Sequence, residues 1–260
     1  MSIRTDLLVE TRGSVLQVTL NRPQKRNALS RGMLAELREV FETAATDQTL
    51  LVAVLQGAGE KCFAAGGDLR DLSTVRTQED TVVMADAGRA ALEAVRRFPV
   101  PVVAALNGDA LGGGAELALA CDFRVMATHA RLGFIHGHLN ITTAWGGSVD
   151  LMRLLGPTTA LRLLARNELI DADTALAIGL ADSVARNADT LADTVQQFIE
   201  PIGRQVPRVA RAYKAIAVAV RQGESRESLA ALETRMFVET WVHENHWAAA
   251  DKILQKGGQP

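Results

Sequence analysis

The chain has 260 residues, 48% of them hydrophobic and 22% charged, which is enough for one main α/β domain with a helical extension and too little for two ample domains. A net charge of -2 gives no strong field to recruit nucleic acid or an anionic membrane, and no window reaches the roughly 18 uninterrupted apolar residues of a membrane span. Cys62 and Cys121 are too few for a disulfide scaffold and lack zinc-like spacing, so both are expected as reduced core thiols in a soluble, cytoplasmic protein without a signal peptide.

Along the chain, Val15 to Leu20 alternates and is β-rich, and Asn21-Arg22-Pro23 breaks it. Ser30 is placed to cap a helix carrying Met33, Leu34, Leu37, Val40, Phe41 and Ala44 at helical spacing. The apolar run Leu50 to Leu55, ending at Gly57, predicts a buried strand, and Glu79 to Arg97 predicts an amphipathic helix stopped by Pro99. Val100 to Leu106 is a further apolar run, Gly108 to Gly114 a glycine-rich turn, Glu116 to Ala120 the start of a helix, and Phe123 to Met126 a short strand. After Gly156-Pro157 the pattern turns helical, and from Pro201 no clear strand remains. The expected organisation is therefore a core over residues 1-200 and a helical segment over 201-260, with no close internal sequence repeat.

Two turns are candidates for chemistry. Phe63-Ala64-Ala65-Gly66-Gly67-Asp68-Leu69 follows a buried strand, where small residues allow a ligand to approach the backbone. In Asn107-Gly108-Asp109-Ala110-Leu111-Gly112-Gly113-Gly114-Ala115-Glu116, three successive glycines open a helix and leave N–H groups free at its positive end. Either turn alone could serve only as a tight connection. Neither carries the dinucleotide or P-loop fingerprint.

Taken together, these two segments resemble the paired signature of the enoyl-CoA hydratase/isomerase (crotonase) family. The resemblance begins at Asn21-Arg22-Pro23 with Asn27-Ala28-Leu29, includes Trp145-Gly146-Gly147 and extends to Ala175, Gly179 and Leu180. It implies an α/β spiral of ββα units with a C-terminal helical region that packs in homotrimers, often paired into hexamers. It also implies an oxyanion hole made by the backbone N–H groups of Gly67 and Gly113. Charge developing on a thioester oxygen next to a reacting carbon is what such preorganised donors stabilise.

Glu116, on the first turn after the triple glycine, matches one of the two catalytic glutamates of the family's hydratases; alone it would read as an acid complementing a helix N-terminus. Aligned backward from Trp145-Gly146-Gly147, His136 occupies the place of the second glutamate. This departure leaves a histidine that can act as acid or base, position a substrate carboxylate, or simply bond to backbone, and His138 is close by. The segments RLGFIHGHLNITTAWGG and Trp241 to Lys252 are similar to the ethylmalonyl-CoA decarboxylase-like branch, in which loss of a carboxylate gives the enolate directly.

By the same resemblance, Arg22, Lys25 and Arg26 would line the adenine and phosphates of coenzyme A. Leu69 and Arg70 would flank the pantetheine or adenine, Ala65 would contact substrate or coenzyme A, and Trp145 would line the acyl pocket, although an aromatic there also reads as core. Asp68 would assist catalysis or brace its turn. Lys214, Phe237 and Lys252 would complete the coenzyme A site or pack subunits. No metal or separate cofactor is expected, since coenzyme A is part of the substrate. Hydration, decarboxylation and double-bond isomerisation remain open, as does a homologue that binds coenzyme A or RNA without turnover, although the composition disfavours RNA.

Overall fold

The computed structural model of the protein describes residues 6–186 and 190–257. The first two strands, β1 (Leu7–Arg12) and β2 (Val15–Leu20), form an antiparallel hairpin. Helix α1 (Arg31–Ala44) follows, with the Ser30 hydroxyl accepting from Met33 N at 3.2 Å and Met33, Leu34, Leu37 and Phe41 buried on one face.

A three-part unit then recurs. The first is β3 (Val52–Gly57), β4 (Cys62–Ala64) and α2 (Gln78–Arg96); the second is β5 (Val102–Leu106), β6 (Asp109–Leu111) and α3 (Gly113–Ala120). The third is β7 (Phe123–Ala127), β8 (Arg131–Gly133) and, after a 3-10 turn over Ile135–Leu139, α4 (Gly147–Leu155). The first strand of each unit joins a six-stranded sheet of order β1-β2-β3-β5-β7-β10, and the second a four-stranded sheet of order β4-β6-β8-β9. From β2 onward the large sheet is parallel, as are β4, β6 and β8 in the small one. The expected spiral of ββα units is the observed fold.

Where the sequence reads as turning helical, two strands intervene. α5 (Pro157–Arg166) leads to β9 (Leu169–Asp171), and α6 (Ala172–Ala177) to β10 (Ser183–Ala185). α7 (Leu191–Gly203), α8 (Pro207–Gln222), α9 (Arg226–Trp241) and α10 (Glu244–Gly257) complete the chain. Pro201 lies inside α7 rather than at a boundary, so the strand-free part begins ten residues earlier, at Leu191. The expected segments 1-200 and 201-260 also include residues 1–5, 187–189 and 258–260, which lie outside the described residues.

Alternation along the central strands places a core on each face of the large sheet. Ala53, Leu55, Val102, Ala104 and Leu106 join the main core with α1, α2 and α3. Val52, Val54, Val103, Ala105 and Val125 face Val195 and Ile199 of α7. α9 instead buries no side chain, and Phe237, Val238 and Trp241 are exposed on it. Among the described residues no helix is long and apolar enough to cross a membrane.

Candidate active site

The small sheet explains why distant residues meet. β4, β6 and β8 are adjacent and parallel, so their C-terminal ends lie side by side, the place where open α/β sheets bind ligands. β4 leads to Gly66-Gly67, β6 to Gly112-Gly113, and β8 to His136. The two glycine turns are in close contact: a Cβ on Gly66 would lie 3.3 Å from Gly113 N and 3.0 Å from Leu111 O. Gly66 at φ 96 and Gly112 at φ 52 occupy the left-handed half of the backbone map, which explains glycine at these two positions. Among the described residues, neither the Gly67 N–H nor the Gly113 N–H has an acceptor.

The first turn is braced by charge. Arg22, only 6% exposed, donates to Ala28 O at 2.6 Å and to Asp68 Oδ2 at 2.8 Å. Asp68 Oδ1 also accepts from Arg70 N at 3.2 Å and Asp71 N at 3.4 Å. Burial would raise the Asp68 carboxyl, but the Arg22 guanidinium and these backbone donors outweigh it and hold the group below the ordinary carboxylate range. Arg22, expected to line coenzyme A, has its guanidinium buried and bonded within the protein. Asp68 takes the bracing role of the two considered for it.

Glu116, on the first turn of α3, is 2% exposed. Its Oε1 accepts from Trp145 N at 2.9 Å and Gly147 N at 3.0 Å, which leaves Oε2 turned to His136 Nε2 at 3.2 Å. When Glu116 is ionised its carboxylate only accepts, and Nε2 is then the donor in this contact. His136 Nδ1 is buried without a partner, so the Glu116 contact alone anchors the ring through hydrogen bonding among the described residues. Arg96 fixes the far side of this arrangement, donating to Trp145 O at 2.8 Å and Asp150 Oδ2 at 2.8 Å.

These groups border one cavity of about 280 Å³, lined by Ala65, Gly67, Leu69, Gly113, Glu116, His136, His138 and Trp145, with Leu72, Met84, Ile135, Leu139 and Ile141 supplying apolar walls. Free backbone donors and a carboxylate–imidazole pair on one mainly apolar cavity form a set that can stabilise a developing oxyanion and move a proton. A profile of the enoyl-CoA hydratase/isomerase family matches residues 10–256. The chain belongs to this enoyl-CoA hydratase/isomerase family.

Its relatives within the family differ in reaction. The short-chain-enoyl-CoA hydratase of Clostridium acetobutylicum is 33% identical, covering 96% of this chain and 95% of that protein. The ethylmalonyl-CoA decarboxylase of Mus musculus is 32% identical, covering 86% of this chain and 70% of that one. Among solved structures, an enoyl-CoA hydratase from Bacillus anthracis superposes with a TM-score of 0.89 at 30% identity, covering 97% of both chains.

The other positions singled out by the family resemblance fall in three groups. Lys25, Arg26, Leu69 and Arg70 are exposed around the first turn, with Lys25 Nζ 3.8 Å from Asp68. Phe237 and Lys252 are exposed on α9 and α10. Lys214 is buried, with Nζ 2.5 Å from Asp122 Oδ2, so its ammonium braces α8 against the end of α3. Burial pushes Cys62 up to about 11, helped by Asp109, in keeping with an inert thiol. Sequence reasoning missed Arg96 and the walls Leu72 and Met84; the one local signal was Gly88 inside an otherwise regular helix, which makes room for Trp145.

Proposed function

We propose that this chain hydrates a short- or medium-chain 2-enoyl-CoA, holding the thioester oxygen on the N–H groups of Gly67 and Gly113 and moving protons through Glu116 and His136. The observation that carries this reading is the Glu116–His136 contact of 3.2 Å on the cavity that both glycines border. Water adds to the β-carbon and gives a proton to one member of the pair, the electron pair of the double bond moves onto the thioester oxygen, and the α-carbon then takes a proton. Each step balances without a metal or redox group. A missing oxyanion donor costs about 2.7 to 4 kcal/mol in comparable sites. Exposed Lys25, Arg26 and Arg70 are assigned to the coenzyme A phosphates, and the exposed apolar side chains of α8 to α10, Tyr213, Phe237, Trp241 and Trp247, to assembly as a homotrimer or a dimer of trimers.

Decarboxylation of a 2-carboxyacyl-CoA is the second reading, favoured by one specific feature. Glu116 is the single carboxylate among the residues lining the cavity, so a substrate carboxylate meets less repulsion than it would beside two glutamates. Breaking the carbon–carboxylate bond would send its electrons to the same oxyanion donors and leave one protonation to complete.

Purified protein assayed with crotonyl-CoA and with ethylmalonyl-CoA separates the two. Loss of the conjugated thioester absorbance, reduced about 10² to 10⁴-fold in both Glu116→Gln and His136→Ala, is the expected result. Carbon dioxide release from ethylmalonyl-CoA without hydration of crotonyl-CoA overturns hydration in favour of the second reading.

A further inference from the structure

Behind the cavity lies a second one of about 310 Å³ between α1 and α2, with Leu34, Ala35 and Ala87 among its walls. Leu72, Met84 and Trp145 border both spaces. The indole of Trp145, only 5% exposed, therefore stands as part of the partition between the site and an apolar groove that opens on the outer side of the helix pair.

We infer that Trp145 is the end stop of the acyl pocket, and that the α1–α2 groove is a latent subsite for longer acyl chains. The inference rests on the acyl-CoA reading of the site in front of the ring and narrows that reading to the short-chain end. It follows from how the ring is seated. A Cβ on Gly113 would lie 2.3 Å from Cζ3 of the indole, and a Cβ on Gly88 would lie 2.1 Å from Nε1, so the ring rests directly on two backbone segments that only glycine leaves open. Gly88 in the interior of α2 forgoes the helix propensity of alanine, and accommodating the indole accounts for it. The backbone of Trp145 is fixed as well: its N–H bonds Glu116 at 2.9 Å and its carbonyl accepts from Arg96 at 2.8 Å. A ring held against backbone at both its pyrrole and its benzo part and anchored at its own backbone does not yield readily to an acyl tail. The wall thus limits the acyl group to what the front cavity holds, while the space beyond has apolar walls and is also lined by Arg31, Arg38, Glu39 and Glu42.

Binding of saturated thioesters tests the end stop separately from turnover. Titration calorimetry with butyryl-CoA and octanoyl-CoA on wild type and Trp145→Leu is expected to show the octanoyl to butyryl affinity ratio rising by about 10-fold or more, the scale on which one accommodated methylene is discriminated. Adding Ala35→Trp, which refills the groove, is expected to cancel that rise. An unchanged ratio in Trp145→Leu, or a rise that survives Ala35→Trp, overturns the inference. If Trp145→Leu does not fold, Trp145→Phe keeps an aromatic ring on the glycines and is expected to shift the ratio in the same direction by a smaller factor; no shift overturns the inference equally. Wild type that binds butyryl-CoA but turns over neither crotonyl-CoA nor ethylmalonyl-CoA counts against the proposed reaction, and the affinity ratio still decides the end stop.

Discussion

The two glycine turns present the same chemical group, an unbonded backbone N–H, but they are held by different forces. The Gly66-Gly67 turn hangs on a buried ion pair, Arg22 to Asp68 at 2.8 Å, with both side chains 8% exposed. The Gly112-Gly113 turn is held by packing: a Cβ on Gly114 would lie 2.1 Å from Ala64 O, and Gly113 faces the Trp145 ring. A motif that looks uniform in sequence thus rests on electrostatics at one end and on shape at the other. The two ends should fail under different perturbations.

The largest effect is expected at the charged end. Asp68→Ala removes the buried 2.8 Å partner of the Arg22 guanidinium and leaves it only the more exposed carboxylate of Asp6 at 3.5 Å. Breaking a buried pair typically costs about 3–5 kcal/mol, measurable by urea denaturation, and a loss below about 1 kcal/mol would show that the pair behaves like a surface bridge. At the packed end, Gly114→Ala forces a methyl against a backbone carbonyl, and a loss of about 1–3 kcal/mol is expected. Acid sharpens the contrast. Because the folded-state Asp68 carboxyl lies below the ordinary range, its contribution is present above that range and is lost as pH falls through the folded value. The stability gap between wild type and Asp68→Asn should therefore narrow as pH falls, while the gap between wild type and Gly114→Ala stays constant. The smallest effect belongs to Gly67→Ala: the added methyl would meet the flexible Leu72 Cδ1 at 3.0 Å and the φ is not left-handed, so stability should stay within about 1 kcal/mol of wild type.

What the sequence made legible follows the same division. Backbone features announced themselves: the glycines marked both turns, and Ser30 and the spacing of Met33, Leu37 and Phe41 marked α1. His136 is found only by counting back from Trp145-Gly146-Gly147, and the structure places it 3.2 Å from Glu116. The strands β4, β6 and β8, three residues each, are too short to show a period of two, although they bring the site together. The ββα unit recurs in geometry without recurring in residues, so no repeat was visible. The resemblance assigns Arg22 to coenzyme A and Lys214 to that site or to subunit packing, because a sequence does not show which carboxylate, Asp68 or Asp122, folding will bring to them. Gly88 gave a hint, yet the ring that needs it lies more than fifty residues away in the chain.

In the proposed reaction the joined ends of β4, β6 and β8 stabilise a thioester enolate, with Glu116 and His136 as the proton carriers. Proton NMR of butyryl-CoA in D2O measures this directly, through exchange of the hydrogens on the carbon next to the thioester. Exchange well above the buffer rate in wild type, lost in Glu116→Gln and retained in Gly67→Ala, whose N–H remains, is the predicted result. Exchange at the buffer rate with butyryl-CoA demonstrably bound, or exchange undiminished in Glu116→Gln, would contradict it.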